Sequence, residues 1–523
     1  MNTVSKDRES SIFFFYKSKA LEAASDGRQE EALRYAYEAA RMAFLSGLGL
    51  KESILFDFEL DNMLSNLGLV MREQCGSAGK AFTDGKSIGF IASELWDIGG
   101  HCEALLQWAG CLRNQFDKQY LYLTNVSGVP PDFVNLERSL RGLGVEISCL
   151  PYWGPYCRRA GLLAEQIQRD SPRFLALFIH PQDVITISAL SSLERKPTTL
   201  LFNHTDRNFW LGRNVIDYLV DWRKAGADFS ARNRRIFNSC VIPLTTDIKP
   251  RYTANGFLGI PDDSTISLSV GYFYKITCDD DYDYFGTIER LLARYPNHYH
   301  LLVTNESRKG EINSYLGADE AIRRRFIVNG LQADLTPYYG AADFVIETFP
   351  NIGGTIRTEA MACAKPIVTF RNKKMAMLSE TDALDSSYQY VCETEEEVIE
   401  NSSMFIENPA LRTEVGEKLH KRYLDCFSPE RTRERLNSIF AGRKEPSVVE
   451  PVVKYKIGDL VKGEHLIYEI LEIGDNHQVY LAYSRDARIP LLLKVMDKKQ
   501  ADLIKGKGDL VSRIGKWTEI SPH

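Results

Sequence analysis

The sequence has no CxxC pair, no excess of positive charge and no apolar run near the ~18 residues that span a bilayer. Each absence excludes a class of protein. The ten cysteines (Cys75, Cys102, Cys111, Cys149, Cys157, Cys240, Cys278, Cys363, Cys392 and Cys426) are scattered, which argues against zinc knuckles and disulfide scaffolds and predicts reduced, mostly buried thiols. With 64 Lys and Arg against 70 Asp and Glu, the net charge is −6, so a general nucleic-acid binder is not expected. The polar start MNTVSKDRESS lacks the basic and then apolar order of a signal peptide, so a cytoplasmic protein is expected. What remains is an ordinary globular composition, 44% hydrophobic and 26% charged, in 523 residues. That length is enough for about three domains, with a sizeable buried core.

Four segments follow from the texture. Residues 1–80 place apolar residues at helical spacing, as in ALEAASDGRQEEALRYAYEAARMAFLSGL, and predict two or three helices forming a cap. The segment resembles one tetratricopeptide unit, but no second copy follows at the ~34-residue period, which argues against an array and leaves a docking surface as the alternative role. Residues 81–255 alternate strand-like runs (SIGFIASELW, YLYLTNV, VEISCLPY, FLALFIH, TTLLFNH) with helical ones such as CEALLQWAGCLRNQF and RRAGLLAEQIQRD. Residues 256–445 resume the alternation from TISLSVGYF through HYHLLVT, FIVNG, DFVIETF and PIVTF, and LRTEVGEKLHKRYLDCF predicts a helix packing back across the cleft. The linker GRKEPSVVEPVVKYK and a small β-rich segment occupy residues 446–523. The expected fold class is therefore α/β, two doubly wound Rossmann-like halves with an N-terminal helical cap and a β-rich tail. Ligands of such sheets bind beyond the carboxyl ends of the strands, so the cleft between the halves is the expected site.

The most informative stretch is DFVIETFPNIGGTIRTEAMACAKPIVTF, residues 343–370. A strand ends at a proline turn, Gly353-Gly354-Thr355 opens a helix, and Glu359 follows in its first turns. Glycines admit a ligand close to the backbone, and the free N–H groups and dipole of a helix start favour a pyrophosphate. Glu359 can then accept hydrogen bonds from ribose hydroxyls. This stretch resembles the nucleotide-sugar half of GT-B glycosyltransferases, both the E…GG…EAMA-G-PVV block of the glycogen-synthase-like retaining group and the DTFPYNGGTT…DALW-G-PVV block of the O-GlcNAc transferase group. The resemblance implies that Gly353, Gly354 and Thr355 hold the donor diphosphate and Glu359 the ribose. Glu347, a further donor-side candidate, lies twelve residues before Glu359, where the retaining group usually has eight. Ala364 stands where both groups usually have glycine. Gly354 and Ile356 replace the histidine and second threonine of the O-GlcNAc transferase pattern.

Three other stretches carry the same resemblance. SLSVGYFYKITCDDDYDYFGTIERLLARYPNHYHLLV places Lys275 where the O-GlcNAc transferase group has a lysine on the donor diphosphate; a fixed ammonium stabilises the charge that a leaving diphosphate gains. LLFNHTDRNFWLGRNVIDYLVDWRKAGADFSARNRRI resembles the NHADH.FWLG segment of bacterial GT-B enzymes. It places Asn203, His204, Asp206 and Trp210 at a strand end facing the cleft, His204 and Asp206 being the candidate acceptor base and its carboxylate. ELWDIGGHCEALL resembles the glycine-rich first loop of the family, with Gly99 and Gly100 on the acceptor side and His101 as a third catalytic candidate; His180, in LFIHPQD, holds a similar strand-end position.

Together these imply sugar transfer from a UDP- or GDP-sugar to a glycan, lipid or protein hydroxyl, with no metal and no resident cofactor required. The alternatives are a nucleotide-sugar epimerase and a non-catalytic sugar-nucleotide-binding protein. The acidic run after Cys278 contains DxD patterns of the kind that hold a divalent cation, but directly after the Lys275 strand it reads as a solvated loop and helix cap. The basic runs RRAG and ARNRR read as solvated faces, with peripheral membrane contact as the alternative. The tail, YEILEIGDNHQVYLAYSRDARIPLLLKVMDKK, resembles the first strands of a protein-kinase N-lobe with Lys494 as its lysine; it has only Gly474 in the loop and no room for a catalytic loop, which points to protein docking or a truncated kinase-like segment rather than phosphoryl transfer.

Overall fold

A computed structural model describes residues 3–47, 54–75, 86–97, 99–206, 208–234, 236, 238–249, 258–305, 309–332, 334–372, 383–384 and 387–442, and the backbone of four strands between 460 and 496. Nearly all of the expected linker, and Gly474, lie outside these residues. The chain divides into two units, residues 1–225 with 241–445, and residues 226–240 with 446–523.

The first unit begins with the helices Thr3–Ser25, Gln29–Gly47 and Phe58–Cys75. Ala20, Ala23, Ala32, Ala36 and Ala40 are fully buried, and side chains this small let the first two helices approach closely. The third helix packs on the helix Val184–Ser192 through Gly68, where an added Cβ would stand 2.5 Å from Ser191 Cβ and 2.7 Å from the Ser188 carbonyl oxygen. Backbone cannot yield there as a flexible side chain would. Gly68→Ala is expected to cost about 1–3 kcal/mol, read as a lower melting temperature with the far-ultraviolet spectrum unchanged.

Two parallel sheets follow. In the first, β1 (Ser87–Ala92), β2 (Lys118–Leu123), β3 (Val145–Cys149), β4 (Phe174–Phe178), β5 (Thr198–Asn203) and β6 (Tyr218–Asp221) run in the order β3-β2-β1-β4-β5-β6. β7 is the short strand Ser239–Val241. β8 (Thr265–Val270), β9 (His298–Val303), β10 (Phe326–Asn329), β11 (Phe344–Ile346), β12 (Ile367–Phe370) and β13 (Val391–Cys392) form the second, in the order β10-β9-β8-β11-β12-β13. Both orders are 3-2-1-4-5-6, the doubly wound arrangement, and both reverse direction beside their first strand. β1, β4 and β12 are buried along their whole length, which is why they read as continuous apolar runs rather than alternating ones. Cys102, Cys111, Cys149, Cys157, Cys240, Cys278, Cys363, Cys392 and Cys426 are free thiols.

The halves are tied by their last helices. Tyr423, on the helix Pro409–Cys426, donates to the Thr246 carbonyl at 2.6 Å. On the next helix, Pro429–Phe440, Phe440 packs on Phe174 of the first sheet with ring centres 4.5 Å apart, and Arg433 Nε donates to the Cys111 carbonyl at 2.9 Å.

Ala364, which closes the helix Gly354–Ala362, has a left-handed backbone with φ 55°. A glycine-type conformation is thus kept where the side chain is alanine. Ala364→Gly is expected to raise stability by about 0.5–1 kcal/mol, the left-handed strain of an L-residue less the greater freedom of glycine in the unfolded chain, measured by urea denaturation.

The second unit contains most of β7 and an antiparallel sheet of β14 (Leu460–Val461), β15 (His465–Ile473), β16 (His477–Ser484) and β17 (Pro490–Met496), in that order. Lys494 lies in β17 at the register of Val479 in β16.

Candidate active site

The donor-side candidates meet where the second sheet reverses, between β8 and β11. Lys275 sits on a single helical turn, Tyr274–Thr277, just beyond β8, and its Nζ donates to the Ile352 carbonyl at 3.2 Å. Gly353 is the N-cap of the helix Gly354–Ala362; no side chain caps this helix, and a Cβ on Gly353 would stand 3.8 Å from Lys275 Nζ. Ammonium and helix start thus adjoin, with Gly354 and Thr355 in the first turn. Burial pushes the Lys275 pKa down, and the charge of Glu347 works against that shift. Tyr339, itself buried, donates its hydroxyl to Glu359 Oε2 at 2.9 Å. Burial pushes Glu359 up to about 7, with the Tyr339 hydrogen bond opposing and the like charge of Glu103 adding to the rise.

Glu347 is fully buried, and its Oε2 receives Arg357 Nε at 3.0 Å and the Thr369 hydroxyl. It therefore anchors the helix carrying Glu359 to β12, while its Oε1 is buried without a hydrogen bond. The acidic run ends at Asp283, whose carboxylate accepts from Gly286 N and caps the following helix.

On the first sheet, the ends of β1, β4 and β5 bring three imidazoles together. His101 and His204 stack with ring centres 5.4 Å apart, His101 and His180 lie 5.6 Å apart, and Trp96 stacks on His180 at 5.7 Å. His101 Nε2 lies 3.2 Å from the Glu94 carbonyl, and His180 Nδ1 lies 3.6 Å from Glu94 Oε2. Burial lowers all three pKa values, His180 to about 4 and His204 well below its usual range, and the imidazoles repel one another's charge. Each shift favours the neutral imidazole. His204 Nδ1 is buried without a hydrogen-bond partner, in a hollow lined by Ile179, His180, Asn203, Trp210 and Leu211.

The expected pairing of His204 with Asp206 is not what the fold makes. Asp206 is buried against Arg223, which reaches it with Nε at 2.6 Å and a second nitrogen at 3.0 Å, a bidentate pair that a carboxylate in apolar surroundings needs. Asn203 donates to Asp221 Oδ1 at 2.7 Å, which ties the ends of β5 and β6. Trp210 is buried. Gly99 precedes the helix Gly100–Leu112, which likewise has no side-chain cap, and a Cβ on Gly100 would meet nothing within 4 Å.

A solved glycosyltransferase from Rickettsia africae superposes with a TM-score of 0.54 at 13% identity, covering 70% of this chain and 100% of that one. The O-GlcNAc transferase of Thermobaculum terrenum gives 0.50 at 14% identity, over 82% of this chain and 84% of that one. Anabaena HepE, solved in complex with UDP-glucose, gives 0.51 at 13% identity, over 68% and 99%. This chain has the GT-B fold. No protein-family model and no curated protein matches its sequence.

The two halves meet beside the start of the Gly354–Ala362 helix. A Cβ on Gly354 would stand 3.2 Å from Leu244 and 3.7 Å from Trp222, both from the first half. Glu103, on the helix after Gly100, is near enough to Glu359 to raise its pKa, and Gln107 on the same helix donates to Asp247 at 3.3 Å. Sequence reasoning missed Glu94, Trp96, Glu103, Trp222, Arg223 and Tyr339. A signal existed only for Trp96, next to the Gly99-Gly100 turn; the others become site residues through contacts between distant segments. Among the described residues no group of three or more His, Cys, Asp or Glu has the geometry of a metal site, and no helix is long and apolar enough to cross a membrane.

Proposed function

We propose that this protein transfers a sugar from a nucleotide-diphosphate donor to an acceptor hydroxyl. The observation that carries this reading is the juxtaposition of Lys275 Nζ with the uncapped helix start at Gly353. The acceptor oxygen attacks the anomeric carbon, the bond from that carbon to the diphosphate oxygen breaks, and the charge that develops on the leaving group falls between the ammonium and the helix N–H groups. Glu359, held by Tyr339, accepts from the ribose. His204, neutral and with Nδ1 unpartnered, accepts the hydrogen bond or proton of the acceptor hydroxyl. The positive field comes from the protein, so turnover proceeds in EDTA. A hexosyl donor carrying uridine diphosphate is the first choice, since HepE shares the fold and was solved with UDP-glucose. Residues 81–255 serve the acceptor, a glycan, lipid or protein hydroxyl, and residues 256–445 the donor.

The test is a thermal-shift and hydrolysis screen against UDP-, GDP-, ADP-, CMP- and dTDP-sugars with EDTA present. A shift with one sugar nucleotide and slow release of its nucleotide are expected. Silence from all of them would remove the reading, and binding with no release or transfer would make the protein a sugar-nucleotide-binding module instead.

A further inference from the structure

The loop after β5 carries His204 and Trp210, and the N-terminal helices hold its far end. Asp61, on the helix Phe58–Cys75, is 1% exposed and its Oδ1 accepts the Gly212 N–H at 2.7 Å. Gly212 has φ +112°, a left-handed backbone that suits glycine, and a Cβ there would stand 3.4 Å from Ile187. On the same helix, Asn62 Oδ1 accepts from Asn214 Nδ2 at 2.9 Å. From the first helix, Phe13 meets Phe209 edge to face with ring centres 5.9 Å apart, both rings being buried. Arg213 lies over the Phe56 ring at 5.9 Å. Four cap residues therefore grip the loop from Phe209 to Asn214, which includes Trp210 and Leu211 of the hollow at His204.

We propose that the helical cap is a working part of the acceptor side, with Asp61 as a positioning residue that holds the 204–214 loop, and through it His204 and Trp210, in place. Burial pushes the Asp61 carboxyl up to about 7, with the backbone N–H groups of Gly212 and Arg213 and the charge of Arg213 opposing the rise, so the carboxylate is committed to the turn at Gly212 and Arg213. A neutral amide of the same shape keeps the acceptor oxygen, so Asp61→Asn conserves the grip and Asp61→Ala removes it. The catalytic consequence rests on the transferase reading; the mechanical one does not.

Amide hydrogen exchange on the full chain separates them. In Asp61→Ala, protection of peptides covering 204–215 should fall at least tenfold, with peptides from the second sheet unchanged and UDP affinity within twofold of wild type. Asp61→Asn should stay within twofold in both. Release of UDP from UDP-glucose should fall at least tenfold in Asp61→Ala and recover in Asp61→Asn. Asn62→Ala, which removes an exposed contact, should loosen the same peptides by about threefold and serves if Asp61→Ala does not fold. Unchanged exchange over 204–215 in these variants would overturn the proposal, as would a loosened loop with full turnover. If wild type releases nucleotide from none of the sugar nucleotides screened, the exchange result still decides the grip, and the transferase reading is what has failed.

Discussion

Lys275→Ala is expected to lower turnover of the sugar nucleotide by about 100-fold or more while weakening nucleotide binding much less. The ammonium is held by the Ile352 carbonyl beside the start of the Gly354–Ala362 helix. The donor already carries charge when it binds, but its leaving oxygen gains more as the sugar departs, so a fixed cation acts mainly in the transition state. Burial lowers the Lys275 pKa, and the neighbouring Glu347 carboxylate works to keep the amine protonated. Lys275→Arg should recover only part of the activity, because a planar fork does not reproduce a point charge at that turn. Single-turnover rates alongside UDP titrations separate the two effects, and equal losses in both would make Lys275 a binding residue only.

The second large effect concerns Glu359 and pH. Its carboxyl titrates near 7, above its usual value, because burial disfavours the charge. Above that pH the carboxylate accepts ribose hydroxyls; below it the group is protonated and loses acceptor strength, so donor affinity should fall as pH drops from 8 to 6. Glu359→Gln should bind the donor about tenfold more weakly at pH 8, on the ~1–3 kcal/mol scale of charged hydrogen bonds, and the slope between pH 6 and 8 should disappear. The stability of the unliganded protein runs the other way. A carboxyl whose folded pKa is raised holds its proton more tightly in the folded state, so its contribution is present at low pH and is lost as pH rises through the folded value near 7. Glu359→Gln should therefore melt higher than wild type at pH 8 while binding worse. A pH-independent affinity in wild type would place the ribose away from Glu359.

The donor-side candidates could be named from sequence because they are close in the chain. The turn, the helix start and the acidic residue all fall within 343–370, and each has local chemistry: glycine for close approach, free N–H groups for an anion, and a carboxylate in the first turns. Ala364 stands where the resembling families have glycine, and its φ of 55° shows the backbone reason. The acceptor side was legible only residue by residue. His101, His180 and His204 each ended or followed a strand-like run, but nothing local says that β1 and β5 flank β4, which is what brings the three rings within 5.4–6.3 Å. Adjacency misled at Asp206, two residues from His204 in sequence yet paired with Arg223 beyond β6.

The sequence by itself determined the α/β alternation, the N-terminal helices and the glycine turn at the donor helix, because periodicity, capping and turn preference depend on residues a few positions apart. Only the tertiary structure decided which strand ends are neighbours, which carboxylates are tied to arginines, and that Asp61 of the cap holds the loop that follows His204. Those depend on strand order and on where buried charges find partners across the fold, and both are settled by packing between segments far apart in the chain.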